Sequence, residues 1–153
     1  MGQEQNTLQH ALQRVREAGD FRHIIDAVPY ARLLGMQGRI DGEGRILFSL
    51  PFVERNIGNI MIPALHGGVI GGFMESAALL HLMAVRESEG LPKTIDFSID
   101  YLRTGHARDT WAGCEVVRQG KRVAQVSVSA WQDDQQQPIA TARAHFLLAQ
   151  DPA

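Results

Sequence analysis

The feature that most constrains the fold is an apolar segment, Val69 to Val85, in the middle of the chain. Three polar residues, Glu75, Ser76 and His81, interrupt it, and several glycines stand at its start. These interruptions favour a buried helix over a membrane-spanning one. We therefore predict a buried helix that begins after His66 and ends at about Glu87, where a Gly and a Pro follow it within a few residues.

This helix is apolar on every side, which sets a condition on its surroundings. A surface helix of a globular protein has one apolar stripe and one polar face, whereas a helix that is apolar all round must be covered all round. A sheet can cover one side of it. A second copy of the same helix, supplied by a partner chain, would cover another side.

After the helix, the hydrophobic pattern changes its period from 3.6 residues to 2. Ile95, Phe97, Ile99 and Tyr101 alternate with polar residues, as in a strand with one buried face. Other strand-like runs are predicted at 39–40, 45–50, 110–117, 123–131 and 139–149. Because successive strands without intervening helices favour antiparallel pairing, we predict an α+β fold in which an antiparallel sheet wraps around the long helix.

The first part of the chain predicts a separate helical element. Leu8, Ala11, Leu12 and Val15 recur at helical spacing within 7–18. Pro29 disfavours the continuation of any helix through that point. We expect residues 1–30 to form an N-terminal helical extension and 31–153 the main domain, with a loop from 52 to 63.

Composition excludes several classes of protein. The 153 residues carry 15 Lys or Arg against 17 Asp or Glu, so the net charge of −2 argues against nucleic-acid binding through a strongly basic surface. Cys114 is the single cysteine, which excludes an intrachain disulfide; we interpret it as a core residue. No signal peptide is apparent, and the six histidines lack metal-ligand spacing. We expect a cytoplasmic protein with no cofactor, no metal and no membrane or nucleic-acid partner.

Glu75 is the most informative polar residue, because it lies on an otherwise apolar helix. Burial of a carboxylate without compensation is costly, so this residue is paired, lies at the mouth of a site or takes part in chemistry. The alternative is an exposed glutamate at one edge of the helix.

Four glycines, Gly67, Gly68, Gly71 and Gly72, stand at the start of the same helix. Glycine lowers helix stability, but it permits close approach of a backbone or a ligand. The free N–H groups of a helix N-terminus suit an oxyanion or a polarised carbonyl. Tight packing against another helix is the alternative explanation.

A distance argument connects the glycines with Glu75. Gly67 and Glu75 are eight residues apart, or about 12 Å along a helix at ~1.5 Å per residue. One chain therefore cannot easily apply both groups to a single carbonyl. Two copies related by a two-fold axis could do so, with Gly67 of one chain beside Glu75 of the other.

The run from His66 to Ala77 resembles the His-Gly-Gly signature of hotdog-fold acyl-CoA thioesterases, and most closely the phenylacetate-pathway (PaaI-like) branch. The run Thr94–Arg103 resembles the strand that follows in that family. The resemblance covers roughly 39–149 and implies a hotdog fold, a homodimer that can pair into a homotetramer, and an acyl-CoA substrate. The same fold also serves dehydratases, hydratases and acyl-CoA sensors, so the fold alone does not fix the activity.

The resemblance also implies roles for individual residues. Glu75 matches the catalytic acid, which acts as nucleophile or as general base on water, and Gly67 the residue whose N–H polarises the thioester carbonyl. His66 matches a positioning histidine. The family's Asn or Gln falls at Ile60 here, so Asn59 is the favoured substitute and Asn56 the more distant one.

A second group of residues is expected to bind the substrate. Arg103 resembles the residue that meets the coenzyme A nucleotide, and Arg suits phosphate by its charge and bidentate geometry. Gly68 shares the helix start, and Ser98, with Asp96 and Asp100, could orient polar groups near the site. Solvated surface positions are the alternative for Arg103, for Arg108 in the loop after it, and for Ser98.

The sequence therefore predicts a thioesterase that cleaves acyl-CoA to a free acid and coenzyme A. A non-catalytic acyl-CoA-binding protein of the same fold is the alternative, and a hydratase is disfavoured because His66 and Glu75 lack the histidine-based pattern of those enzymes. The acyl group stays open.

Overall fold

A computed structural model describes residues 2–86 and 90–149 of the chain. Within them the elements follow in the order α1 (Gly2–Ala18), α2 (Arg22–Asp26), α3 (Pro29–Leu33), β1 (Gln37–Ile40), β2 (Ile46–Leu50), a 3₁₀ turn (Glu54–Asn56), β3 (Ile57–Asn59), β4 (Ala64–Leu65), α4 (Gly67–Val85), β5 (Lys93–Tyr101), β6 (Thr110–Gln119), β7 (Val123–Trp131) and β8 (Ala140–Leu147). The predicted α+β class is confirmed. The predicted end of the long helix at about Glu87 lies outside the described residues.

The helices before the sheet are more numerous than the sequence pattern predicts. α1 begins at Gly2 rather than Thr7, because its polar first turns need no buried face. The helical path does break before Pro29: Val28 is extended, with φ −110° and ψ 98°, and Pro29 opens α3. Proline is favoured at this first position, where its missing N–H costs no hydrogen bond.

The main sheet has the strand order β1-β2-β6-β7-β8-β5, with every neighbouring pair antiparallel. β2 therefore pairs with β6, and α4 and β5 lie between these two strands in the chain. β5 closes the sheet at one edge and pairs with β8 alone among the described strands. Its nine residues leave one row of backbone groups free.

α4 packs across one face of this sheet and forms the core with it. The strands present small residues there, which leave room for the helix: Ala124, Val126, Ala130, Ala142 and Ala144 are all buried. The helix contributes larger ones, among them Phe73, Met74 and Leu80, each with no exposed surface. α4 is long and apolar enough to cross a membrane, but 56% of its most apolar window is buried inside the protein. The prediction of a buried helix is confirmed.

The segment 52–63, predicted to be a loop, contains short regular structure. A 3₁₀ turn leads into β3, which pairs antiparallel with β4 across a register shift. β4 is joined in turn to the loop after β5, since the Leu65 N–H donates to the Gly105 carbonyl at 2.8 Å. Strands of two and three residues are too short to show a hydrophobic period, which is why the sequence does not reveal them.

Candidate active site at the start of α4

The first turn of α4 is capped by the histidine that precedes it. His66 is extended, with φ −62° and ψ 130°, and its Nδ1 accepts a hydrogen bond of 2.9 Å from the Gly68 N–H. The His66 carbonyl accepts from the N–H groups of Val69 and Ile70, at 3.0 and 3.2 Å. For the Gly67 N–H, no acceptor is found in residues 2–86 and 90–149. Gly67 therefore presents an available donor at the positive end of a 19-residue helix.

The short strand β3 holds this turn from one side. The His66 N–H donates to the Asn56 carbonyl at 2.8 Å. Gly58 lies directly against His66: a Cβ on Gly58 would stand 2.6 Å from the His66 Cα, closer than real atoms approach. Glycine at position 58 is therefore what permits the backbone of β3 to pack on the residue that caps α4.

Tyr101, the last residue of β5, holds the same turn from the other side. Its hydroxyl donates a 2.7 Å hydrogen bond to the Gly67 carbonyl. Its ring lies over the glycine, since a Cβ on Gly67 would be 3.2 Å from both Cζ and Oη of Tyr101. Sequence reasoning missed this contact. The one available signal was that Tyr101 ends the apolar alternation of β5 and so faces the helix.

The glycine cluster makes room for two tyrosines rather than for another helix of the described chain. Gly67 and Gly71 face Tyr101, whereas Gly72 faces Tyr30 at the start of α3. A Cβ on Gly72 would come within 2.6 Å of the Tyr30 ring. Close approach was expected at these glycines, but its source was not.

The two candidate asparagines occupy different environments. Asn56 is buried, with 6% of its surface exposed, and its side-chain Nδ2 has no hydrogen-bond partner among the described residues. Asn59 is exposed at the tip of the β3–β4 hairpin, where its Oδ1 accepts from the Met61 N–H at 3.0 Å. The structure thus places Asn56, not the favoured Asn59, beside the helix start. Ile60, where the family pattern falls, is 84% exposed.

Glu75 lies two turns further along α4, on a stripe that the rest of the described chain leaves uncovered. This open stripe consists of Gly68, Gly71, Gly72, Glu75 and Leu79, which are exposed or half-buried. Within the described residues no hydrogen bond or ion pair to the Glu75 carboxylate is found. A single chain therefore leaves this half-buried carboxylate available and remote from Gly67.

Arg103 and Ser98 are placed differently with respect to the helix start. Arg103 follows β5 closely and donates to the Pro138 carbonyl at 2.8 Å, which leaves most of its guanidinium free. Ser98 is exposed and opposes Arg143 in the sheet register. Phe97 and Tyr101 face α4, so strand alternation directs Ser98 to the opposite face of the sheet. In one chain, Ser98 is thus separated from Gly67 by the sheet itself.

Two cavities lie away from these residues. One, of about 370 Å³, is lined by His81, Cys114, Ser127 and Trp131 near the C-terminal end of α4. Burial lowers the pKa of His81 and raises that of the Cys114 thiol. The other is a groove of about 1040 Å³ between α1, α2 and Leu91. Among the described residues, no group of three or more metal-ligating side chains is present.

Comparison with known proteins gives a consistent result. The family model described as "Thioesterase superfamily" matches residues 63–139, which is half of the chain and includes the start of α4. Comparison with curated proteins yields no match.

Solved structures share both fold and, in part, sequence with this chain. A protein from Chromobacterium violaceum is 50% identical, with a TM-score of 0.73, over 90% of this chain and 96% of that one. The PaaI protein of the E. coli phenylacetic acid degradation operon is 20% identical, with a TM-score of 0.71, over 97% of this chain and 100% of that one. A Bacillus halodurans protein solved with CoA is 17% identical, with a TM-score of 0.70, over 99% and 94% of the two chains.

The last two likenesses show the hotdog fold, and the family match shows the lineage. The hotdog architecture predicted from the helix and the strand pattern is confirmed. The matched segment contains the His-Gly-Gly start of α4 and the glycine whose N–H is available. This chain therefore belongs to the thioesterase superfamily.

Proposed function

We propose that the protein hydrolyses the thioester of an acyl-CoA to a free carboxylic acid and coenzyme A. The observation that carries this proposal is the available N–H of Gly67 at the N-terminus of α4. A donor at that end of a helix favours the negative charge that develops on a thioester carbonyl oxygen under attack. The hydrogen bonds from His66, Asn56 and Tyr101 hold the turn in place for this task.

Glu75 of a partner chain supplies the attacking group. The ~12 Å between Gly67 and Glu75 along one helix is too long for both groups to meet one carbonyl. An antiparallel pair of α4 helices, in contact along the open stripe, brings each Glu75 toward the partner's Gly67. The carboxylate then either attacks the carbonyl carbon or removes a proton from the attacking water; in both cases the coenzyme A thiolate leaves.

Asn56 and His66 have supporting roles. The buried Nδ2 of Asn56 is a donor without a partner among the described residues, which suits contact with the thioester oxygen or the attacking water. We assign this role to Asn56 rather than Asn59, whose side chain closes its own turn. His66 positions Gly67 and Gly68 through its cap.

Coenzyme A enters beside the loop that follows β5. Arg103 offers a free part of its guanidinium to a phosphate, and that loop is tied to β4 by the bond from Leu65 to Gly105. The CoA in the related Bacillus halodurans structure supports a ligand of this class. We leave Ser98 outside the proposed site, because it lies on the opposite face of the sheet.

A homodimer follows from the same arrangement. Two features of the single chain remain without partners among the described residues: the open stripe of α4 and the free edge of β5. Pairing of two β5 edges would extend the sheet and bring the two α4 helices side by side. Pairing of dimers into a tetramer is compatible with this arrangement but is not required by it.

The test uses the N–H of Gly67 itself. Gly67→Pro removes that donor at a helix position where proline is tolerated, and His66 already has the extended conformation that proline requires before it. Gly67→Ala is the matched control, since it adds the same Cβ near Tyr101 and keeps the N–H. In a thiol-release assay on short, medium-chain and aryl acyl-CoAs, we expect kcat to fall about 10²- to 10³-fold in the Pro variant and far less in the Ala variant.

A second variant separates hydrolysis from mere binding. Glu75→Gln removes the carboxylate and keeps its shape, so hydrolysis should collapse while acyl-CoA binding, followed by calorimetry, survives. An equal and small effect of Gly67→Pro and Gly67→Ala would overturn the proposed role of the N–H. Binding without turnover in the natural protein would instead favour the non-catalytic acyl-CoA-binding protein.

A further inference from the structure

The one side-chain hydrogen bond to the first peptide group of α4 that comes from another element is the one from Tyr101, within the described residues. The peptide group between Gly67 and Gly68 is held at both ends. Its carbonyl accepts from the Tyr101 hydroxyl at 2.7 Å, and its N–H donates to Nδ1 of His66 at 2.9 Å. The preceding peptide group carries the Gly67 N–H, and its carbonyl is bound by Val69 and Ile70.

These bonds matter because the residue between the two peptide groups is a glycine. Gly67 has no side chain to restrict its φ and ψ angles, and the first turn of a helix is where fraying begins. The direction of the Gly67 N–H depends on the angle between its two neighbouring peptide groups. Fixing the second group from outside the helix therefore fixes where this N–H points.

The position of Tyr101 suits this purpose. It lies at the end of β5, whose pairing with β8 places the ring over the glycine. The ring keeps 53% of its surface exposed, so the burial of this residue contributes less to the core than that of a typical aromatic. Its hydroxyl bond to Gly67 is the feature that distinguishes it from a phenylalanine.

We infer that Tyr101 is a positioning residue for the reaction: through the Gly67 carbonyl it orients the Gly67 N–H toward the thioester oxygen. This inference rests on the proposed function. It assigns to β5 a part in the chemistry beyond its part in the sheet, and it predicts an effect on turnover rather than on substrate binding.

The primary experiment is Tyr101→Phe, which removes the hydroxyl and keeps the ring over Gly67. We expect kcat on the best acyl-CoA to fall roughly three- to tenfold, the range of a single neutral hydrogen bond, with KM changed less than about twofold. Tyr30→Phe is the matched control: Tyr30 also packs on a glycine of α4, and no hydrogen bond of its hydroxyl is found in the described part of the chain. It should leave kcat unchanged.

A double-mutant cycle separates positioning from a structural or direct role. If Tyr101 acts through the Gly67 N–H, its loss should have no effect on kcat when Gly67→Pro has already removed that N–H. A residue that merely stabilises the fold, or one that contacts the substrate itself, would lower kcat by the same factor in both backgrounds. Either that result, or an unchanged kcat in Tyr101→Phe, would overturn the inference. Absence of turnover in the natural protein would instead contradict the proposed function.

Discussion

At the scale of single residues, His66 shows how a signature residue can act through the backbone. Because Nδ1 accepts from the Gly68 N–H, the neutral ring carries its proton on Nε2. The bond satisfies one of the N–H groups that every helix leaves unpaired at its start. The sequence gave reason to expect a positioning role here, but only the structure identifies the bond that performs it.

The cap can be tested by exchange of the capping group. His66→Ala should lower the free energy of unfolding by about 1 kcal/mol, the usual value of an N-cap side chain, and lower kcat as well. His66→Asn supplies a good capping oxygen and should recover most of the stability and the activity. Chemical denaturation and the thiol-release assay measure the two quantities. Recovery of stability without any activity would show that the imidazole takes part in the chemistry.

His81 makes a second prediction at this scale. Burial lowers its pKa below the ordinary value near 6.5, and its Nδ1 has no partner among the described residues. As the pH falls through about 6.5, the unfolded chain takes up a proton at this residue and the folded chain does not. Stability is therefore fully present above 6.5 and declines below it, until the folded pKa is reached.

The measurement is urea unfolding at about pH 7.5 and about pH 5.5, for the natural protein and for His81→Gln. The natural protein should lose more free energy of unfolding between these values than the variant does. The variant keeps every other titrating group, so it serves as the control. Equal losses in the two proteins would contradict a depressed pKa at His81.

At the scale of elements, the predictions succeeded where a hydrophobic period extends over several turns or several residue pairs. α4 and β5 to β8 were located from period and punctuation alone, with bounds within a few residues of those observed in the described part of the chain. β3 and β4 were missed because two or three residues carry no period. The contacts of Tyr101 and Tyr30 with the glycines were missed because they join elements that are distant in the chain.

Gly58→Ala tests the contact between β3 and the helix start. The added Cβ would meet the His66 Cα, a backbone atom that cannot move cheaply. We expect a loss of about 1–3 kcal/mol in the free energy of unfolding and a displaced cap, hence lower kcat. Gly42→Ala is the control, since nothing lies within 4 Å of its Cβ position, and it should be close to neutral in thermal and chemical unfolding. A neutral Gly58→Ala would show that β3 does not hold His66.

At the scale of the whole molecule, the proposed site is a property of two chains. The distance between Gly67 and Glu75 follows from helix geometry and could be predicted from sequence. The open stripe of α4 and the free β5 edge add the surfaces through which a second copy could reach that site. What the sequence could not predict is which asparagine lies beside the helix start, because that depends on how a short hairpin folds.

Mixing of variants tests the shared site. Glu75→Gln and Gly67→Pro are each expected to be nearly inactive. Co-refolded in equal amounts they should regain about a quarter of natural activity, since half of the dimers are mixed and each has one intact site of two. Light scattering should report a dimer or a larger even assembly. The control is Glu75→Gln mixed with the chain that carries both changes, which should stay inactive. A mixture no more active than its components would show that each chain works alone.

The pairing of β2 with β6 has a consequence for how the protein is made. Leu50 pairs with Thr110, and all of α4 lies between them in the chain. As synthesis proceeds, a helix as apolar as a membrane span leaves the ribosome before any of the strands β5 to β8 that will cover it. The nascent chain must therefore carry its most aggregation-prone element uncovered until the last strands arrive, and folding can be completed only late. The helix that holds the proposed chemistry is thus also the part of the chain most dependent on molecular chaperones.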